Sequence, residues 1–133
     1  MTIKLCYKTY DWKMTAGASK EFFDKTGLDL ECVFADYLEA SIESQGVNLI
    51  SRMQIFAKLH SRSIASQALH CIIKPVNDGV SLAEIEDGTY RVSWQLNEKP
   101  DDLSEPWPIV MLLAAYEINQ YANDNVPKKK EDT

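Results

Sequence analysis

YDWKMTAGASKEFFDKTGLDLECVFADYLEASIESQG, from Tyr10 to Gly46, decides the fold class. Within it Leu30, Val33, Phe34, Tyr37, Leu38 and Ile42 recur at i, i+3, i+4, i+7 and i+8, the spacing that lines one face of an α-helix with apolar side chains. Asp29 stands where an N-cap belongs, and Gly46 where the helix should end. A shorter helix precedes it. Thr15 caps that helix, Ala18 and Phe22 face inward with Phe23 a further candidate, and Thr26-Gly27 stops it. The outer face of the long helix carries Asp29, Glu31, Asp36, Glu39 and Glu43 and no base. A solvated face is the simple reading. The sharper one makes Glu31, Asp36, Glu39 and Glu43 an acidic docking face for a basic partner.

Upstream, Ile3, Leu5 and Tyr7 share one parity, and Tyr10, Trp12 and Met14 share the other. Alternation marks a half-buried strand. The switch of parity near Thr9 calls for a bulge or a turn between two short strands. A hairpin alone is marginal in water, so this one must lie on the helices.

Downstream, Asn48 caps a third helix to about Leu59, with Leu49, Met53 and Phe56 on one face. Ser61 or Ser63 starts a fourth, with Ile64, Ala68, Leu69, Ile72 and Ile73 inward and Pro75 near its end. A loop from Lys74 to Val80 turns at Asp78-Gly79. Ser81-Leu82-Ala83-Glu84 is a capping-box pattern and opens a fifth helix. Beyond it two readings stand. Leu82, Ile85, Thr89, Val92 and Leu96 have heptad spacing, and Tyr90, Val92, Trp94 and Leu96 alternate like a strand. The helix reading, running past Gly88, is preferred. After a polar loop over 97–108, Ser104 can cap the last helix, whose first turn suits Pro106 and Pro108. Ile109, Leu112, Leu113 and Tyr116 make one face of it, and Val110, Met111, Ala114, Ala115 and Ile118 cover much of the rest. A helix apolar nearly all round belongs in the core, or has part of its face covered by another chain.

The expected fold is mainly α: a compact bundle of about five to six helices with a small N-terminal β-hairpin and a disordered C-terminal tail. Residues 1–121 form a single helical domain, and 122–133, with Lys128-Lys129-Lys130, form the tail. Twenty acidic against fourteen basic residues give a net charge of −6, which disfavours nucleic acid and anionic membranes as partners. The longest apolar run, Ile109 to Ala115, is far short of a membrane span, and the N-terminus lacks the apolar run of a signal peptide. Cys6, Cys32 and Cys71 form no CxxC pair and read as reduced thiols in or near the core.

Nothing is spaced for catalysis. His60 and His70 form no HxxxH or HExxH pair, and no Gly-rich loop resembles a P-loop or dinucleotide fingerprint. The carboxylates at Glu84, Glu86, Asp87, Asp101 and Asp102 lack a calcium-loop spacing. The expectation is a non-enzymatic protein without cofactor or metal.

Tyr10-Asp11-Trp12, a short helix with Phe22-Phe23, then Lys25-Thr26-Gly27 and a hydrophobic helix form an ordered pattern. Tyr90-Arg91-Val92-Ser93-Trp94 and Asp101-Asp102-Leu103-Ser104-Glu105-Pro106-Trp107-Pro108 extend it over most of the chain. In this order the motifs resemble the tail assembly chaperones of long, non-contractile-tailed bacteriophages. The resemblance implies a small helical protein of the host cytoplasm, absent from the finished virion. It would bind the tape measure protein, keep it soluble and promote assembly of the tail tube. Many members are made in two forms by a programmed backward ribosomal frameshift, and the longer form brings in the tail tube protein. Lys128, Lys129 and Lys130 can be encoded by A-AAA-AAG, a slippery heptamer, near the place where the family shifts frame. Self-association into a homo-oligomer follows from the need to coat a long client. Trp107, Ile109, Leu112, Leu113 and Tyr116 are the candidate surface for partner or self-association. The alternative is a structural head–tail connector or tail-completion protein that stays in the virion.

Overall fold

Capping side chains start five of the helices, and the computed structural model describes residues 2–5, 8–91 and 106–125. Its elements are β1 (Thr2–Leu5), β2 (Lys8–Asp11), α1 (Ala16–Thr26), α2 (Leu30–Glu43), α3 (Leu49–Leu59), α4 (Arg62–Ile73), a 3-10 turn (Lys74–Val76), α5 (Leu82–Arg91) and α6 (Trp107–Asn125). The fold is mainly α, with six helices and a two-stranded antiparallel hairpin among the described residues. Thr15 Oγ1 accepts from the Ala18 N–H, Asp29 from Cys32, Asn48 from Ser51, Ser61 from Ile64 and Ser81 from Glu84. Each satisfies a donor that the first helical turn leaves without an intrahelical partner. Gly27 closes α1 at φ 74°, a left-handed conformation that disfavours any side chain, and its N–H donates to the Phe23 carbonyl. α2 ends at Glu43, three residues before Gly46, which lies in the turn to α3.

The hairpin register explains the change of parity. Thr2 faces Asp11, Ile3 faces Tyr10, Lys4 faces Thr9 and Leu5 faces Lys8. Opposed residues of an antiparallel pair share a face, so odd positions of β1 go with even positions of β2. Ile3, Leu5 and Tyr10 are accordingly buried, and Trp12 just beyond β2 joins them. The chain reverses between Leu5 and Lys8, ahead of Thr9, which sits inside β2.

α4 is buried on most sides, with α1, α5 and α6 around it. Ala65, Ser66 and Ala68 give it small contact points, and Leu69, Ile72 and Ile73 are fully enclosed. Ser66 and Thr89 share a buried hydroxyl pair at 2.7 Å across α4 and α5, and Thr89 also donates to the Glu86 carbonyl. α6 supplies the rest of the core through Trp107, Val110, Met111, Leu112, Ala114 and Ala115. Its first turn hangs on the Pro106 carbonyl, which accepts from Ile109 and Val110. The helix continues to Asn125, past the boundary expected at 121, so 122–125 belong to it and not to a tail. Ser104, residues 92–96 and the Lys128–Lys130 run lie outside the described residues.

α5 passes straight through Gly88, as the helix reading required. A Cβ there would lie 2.8 Å from Leu5 Cγ and 2.9 Å from Leu5 Cδ2. The glycine is the space into which β1 presses. Ser81 supplies only half a capping box. The Glu84 carboxylate turns away from the helix start and accepts from the Tyr10 hydroxyl at 2.5 Å and from Lys8 Nζ at 3.0 Å. Two contacts thus hold the hairpin on α5, one of shape and one of charge.

Both contacts are testable. Ala is the better helix former by about 1 kcal/mol, yet overpacking costs ~1–3 kcal/mol, so Gly88→Ala should lower stability in urea unfolding. In a Leu5→Ala background the same change should become neutral or stabilising, because the obstructing side chain is gone. The Tyr10 hydroxyl, and then Lys8, hold the Glu84 carboxyl below its ordinary range. A group depressed in the folded state stabilises above its unfolded value and loses that contribution as pH falls through its folded value. Glu84→Gln should therefore flatten the loss of thermal stability between about pH 5 and pH 3, and leave a constant deficit at neutral pH.

Candidate functional site

Both histidines serve structural contacts. His60 Nε2 lies 2.8 Å from Asp36 Oδ2, with its ring tilted against Tyr37. His70 Nε2 meets the Val80 carbonyl at 2.9 Å. Cys71 is buried, and burial pushes its thiol up. Cys32 is exposed, against the expectation of a core position, and its bond to the Asp29 carboxylate pushes its thiol up. No group of three His, Cys, Asp or Glu residues among those described is arranged to hold a metal ion. No helix among them is long and apolar enough to cross a membrane.

The unusual surface is apolar. Ile42 and Leu49 are each 65 % exposed, Ile50 62 % and Val47 41 %, all within the corner where α2 turns into α3. Ile42 and Leu49 were expected inward, and both expectations need correction. Leu49 does share a face with Met53 and Phe56, which are buried. That face runs off the end of the fold, where no described element covers it. Ile42 falls on the side of α2 turned from Ala40 and Ser44, which are buried.

A polar node ties this corner to α6. Arg52 Nη2 donates to Ser41 Oγ at 3.1 Å and to the Ser41 carbonyl at 3.3 Å, and its Nε donates to Ser44 Oγ at 3.1 Å. Tyr116 Oη lies 3.1 Å from the same Ser41 Oγ. Ser41 and Ser44 are buried, while the Tyr116 ring is 48 % exposed. Leu113, one turn before Tyr116, is 49 % exposed. Ile109, Leu113 and Tyr116 follow i, i+4 and i+7, and so form one outward stripe.

The stripe borders a groove of about 390 Å³ between α6 and β1, lined by Ile3, Val110, Leu113, Ala114 and Tyr116 among others. On its other side α6 meets α2 across a second groove of about 270 Å³, lined by Met14, Phe34, Ala35, Leu38, Ala115 and Ile118.

Of the five candidate surface residues, Leu113 and Tyr116 are open to solvent and Ile109 is half-buried. Trp107 and Leu112 are buried in the core of the chain and are not part of an open face. Their apolar character was legible, but not the side of α6 that the other helices cover. Among the acidic candidates, Glu31, Glu39 and Glu43 are exposed. Asp36 is drawn aside by His60, so the face is not free of a base as the helix alone implied. Arg52, Ser41 and the Val47–Ile50 stretch were missed. The available signal was the excess of apolar residues in α3, where Leu49, Ile50, Met53, Ile55 and Phe56 exceed a single stripe.

Burial separates the two classes by stability. Ile42→Ser and Leu49→Ser should each change urea unfolding by less than about 0.5 kcal/mol, as surface substitutions do. Leu112→Ser should destabilise by about 2–5 kcal/mol, as a core truncation with a buried hydroxyl. Equal effects would mean that the corner is covered in solution.

No family model, no curated protein and no solved structure matches this chain.

Proposed function

We propose that this protein is a tail assembly chaperone of a long, non-contractile-tailed bacteriophage, working in the host cytoplasm. The observation that supports the reading is the exposure of Ile42, Leu49, Leu113 and Tyr116, each 48 % to 65 % open to solvent, with Tyr116 bonded to the Ser41 node. They sit on a chain of net charge −6. A holdase needs both properties. Apolar surface covers the apolar stretches of a client, and net charge keeps the complex dissolved. The client is the tape measure protein. Copies of the chain coat it together as a homo-oligomer, and a longer frameshifted form recruits the tail tube protein. The ordered Tyr10–Trp12, Phe22-Phe23 and Thr26-Gly27 pattern is the sequence support for the same reading.

Two measurements test it. Co-expressed with the tape measure protein of its own phage, the chain should hold that protein in the soluble fraction. An Ile42→Ser, Leu49→Ser, Leu113→Ser variant should lose this effect while keeping its helical circular dichroism. Mass spectrometry of purified particles should find the chain absent. Its presence in fixed stoichiometry would establish a connector or completion protein instead.

A further inference from the structure

Arg52 is a cation held by neutral oxygens. No ion pair among the described residues joins it to a carboxylate. Its hydrogen bonds go to neutral oxygens, Ser44 Oγ, Ser41 Oγ and the Ser41 carbonyl. Its Cζ lies 5.8 Å from the centre of the Phe56 ring. The guanidinium is thereby fixed along its Nε–Nη2 edge, while Nη1 makes none of these bonds. α3 has no acidic residue in its first turn, so nothing there offsets the positive end of the helix dipole close to Arg52. Two exposed side chains lie beside it: Leu49 one turn before Arg52, and Tyr116 on the same hydroxyl as the guanidinium.

We infer that Arg52 and the apolar corner around Ser41 dock an amphipathic helix of a partner chain, which seats a carboxylate from its apolar face on the guanidinium. Charge complementarity selects this occupant. One pre-oriented cation with Leu49 and Tyr116 beside it matches one carboxylate flanked by apolar side chains. A polyanion such as nucleic acid needs a basic field, and the net charge of −6 opposes it. A second copy of this corner is a poor match. Of the α2 carboxylates, Glu39 and Glu43 lie two positions from Ser41 and so about 200° around the helix from it. A helix fits because the exposed side chains come from α2, α3 and α6, and the α6–β1 groove continues from Tyr116 past Leu113. Arg, rather than Lys, suits the role, since its fork can be held on one edge and still bind on another. The inference deepens the proposed function by naming the kind of client segment taken, and it rests on the same corner being the client surface.

The test uses the full chain and two fluorescein-labelled helical peptides of about 18 residues, long enough to cross a small domain. Both carry a Leu/Ala stripe, with Glu at its centre in one and Gln in the other. Fluorescence anisotropy should give the Glu peptide about tenfold tighter binding, the size expected for a partly buried charge-assisted pair. Arg52→Gln should abolish the preference and leave Gln-peptide binding unchanged. Arg52→Lys should restore part of it. Ile42→Ser with Leu49→Ser should weaken both peptides alike. Equal binding of the two peptides to the wild-type chain would overturn the inference and leave the chaperone reading standing. Failure of both peptides to bind would overturn both. The wild-type comparison needs no variant to fold, so a destabilised Arg52→Gln does not remove the test.

Discussion

The absence of one methyl group at Gly88 governs how the two ends of the fold meet. Leu5 fills the place where a Cβ would be, and this lets β1 lie against α5. A two-stranded hairpin has too little buried surface to stand alone. Its burial of Ile3, Leu5 and Tyr10 is possible only because the helices provide a seat. Once seated, the hairpin also runs beside α6 and forms one wall of the groove at Leu113 and Tyr116. The Tyr10 and Lys8 bonds to Glu84 hold the same contact from its polar edge. A helix-weakening residue in α5 is thus a tertiary requirement, which outweighs its local propensity.

The helical class, the starts of α1 to α5 and the buried sides of α1 and α4 were legible because they depend on neighbours in sequence, although Phe23, the further inward candidate of α1, is exposed. A cap needs Thr15, Asp29, Asn48 or Ser61 three residues before its donor, and the chain shows that spacing directly. Parity in the hairpin was legible for the same reason. The point of reversal was not, since opposite residues of a pair need not share parity. Cover is a different property. Periodicity put Leu49 on the face of Met53 and Phe56 correctly, but whether another element reaches that far is set by the lengths of α2 and α6. Trp107 and Leu112 show the converse, being buried on a helix whose apolar residues surround it too completely to rank.

The candidate site lies where this cover runs out. The α2–α3 corner and the outer stripe of α6 are joined at Ser41 by Arg52 and Tyr116. A lone exposed Leu or Ile is ordinary on a protein surface. Four within nine residues, Ile42, Val47, Leu49 and Ile50, are more than that, since apolar patches usually mark contact with another molecule. Tyr and Arg are also the residue types that carry binding energy at the centres of interfaces. The many charges elsewhere give such a chain a way to stay dispersed while that patch is open.

Arg52 adds a physical argument for direction. Two buried serine hydroxyls accept from the guanidinium, while Ser44 Oγ also donates to the Ser41 carbonyl of its own helix. Neutral oxygens compensate a partly buried cation only in part, and a carboxylate would do so more fully. Freezing the side chain against Ser41, Ser44 and Phe56 removes in advance the rotamer entropy that a flexible Arg would lose on binding. A group held in place, in no ion pair among the described residues and with Leu49 and Tyr116 beside it, has its orientation cost met by the fold. What remains for a partner to supply is one negative charge and the apolar surface around it.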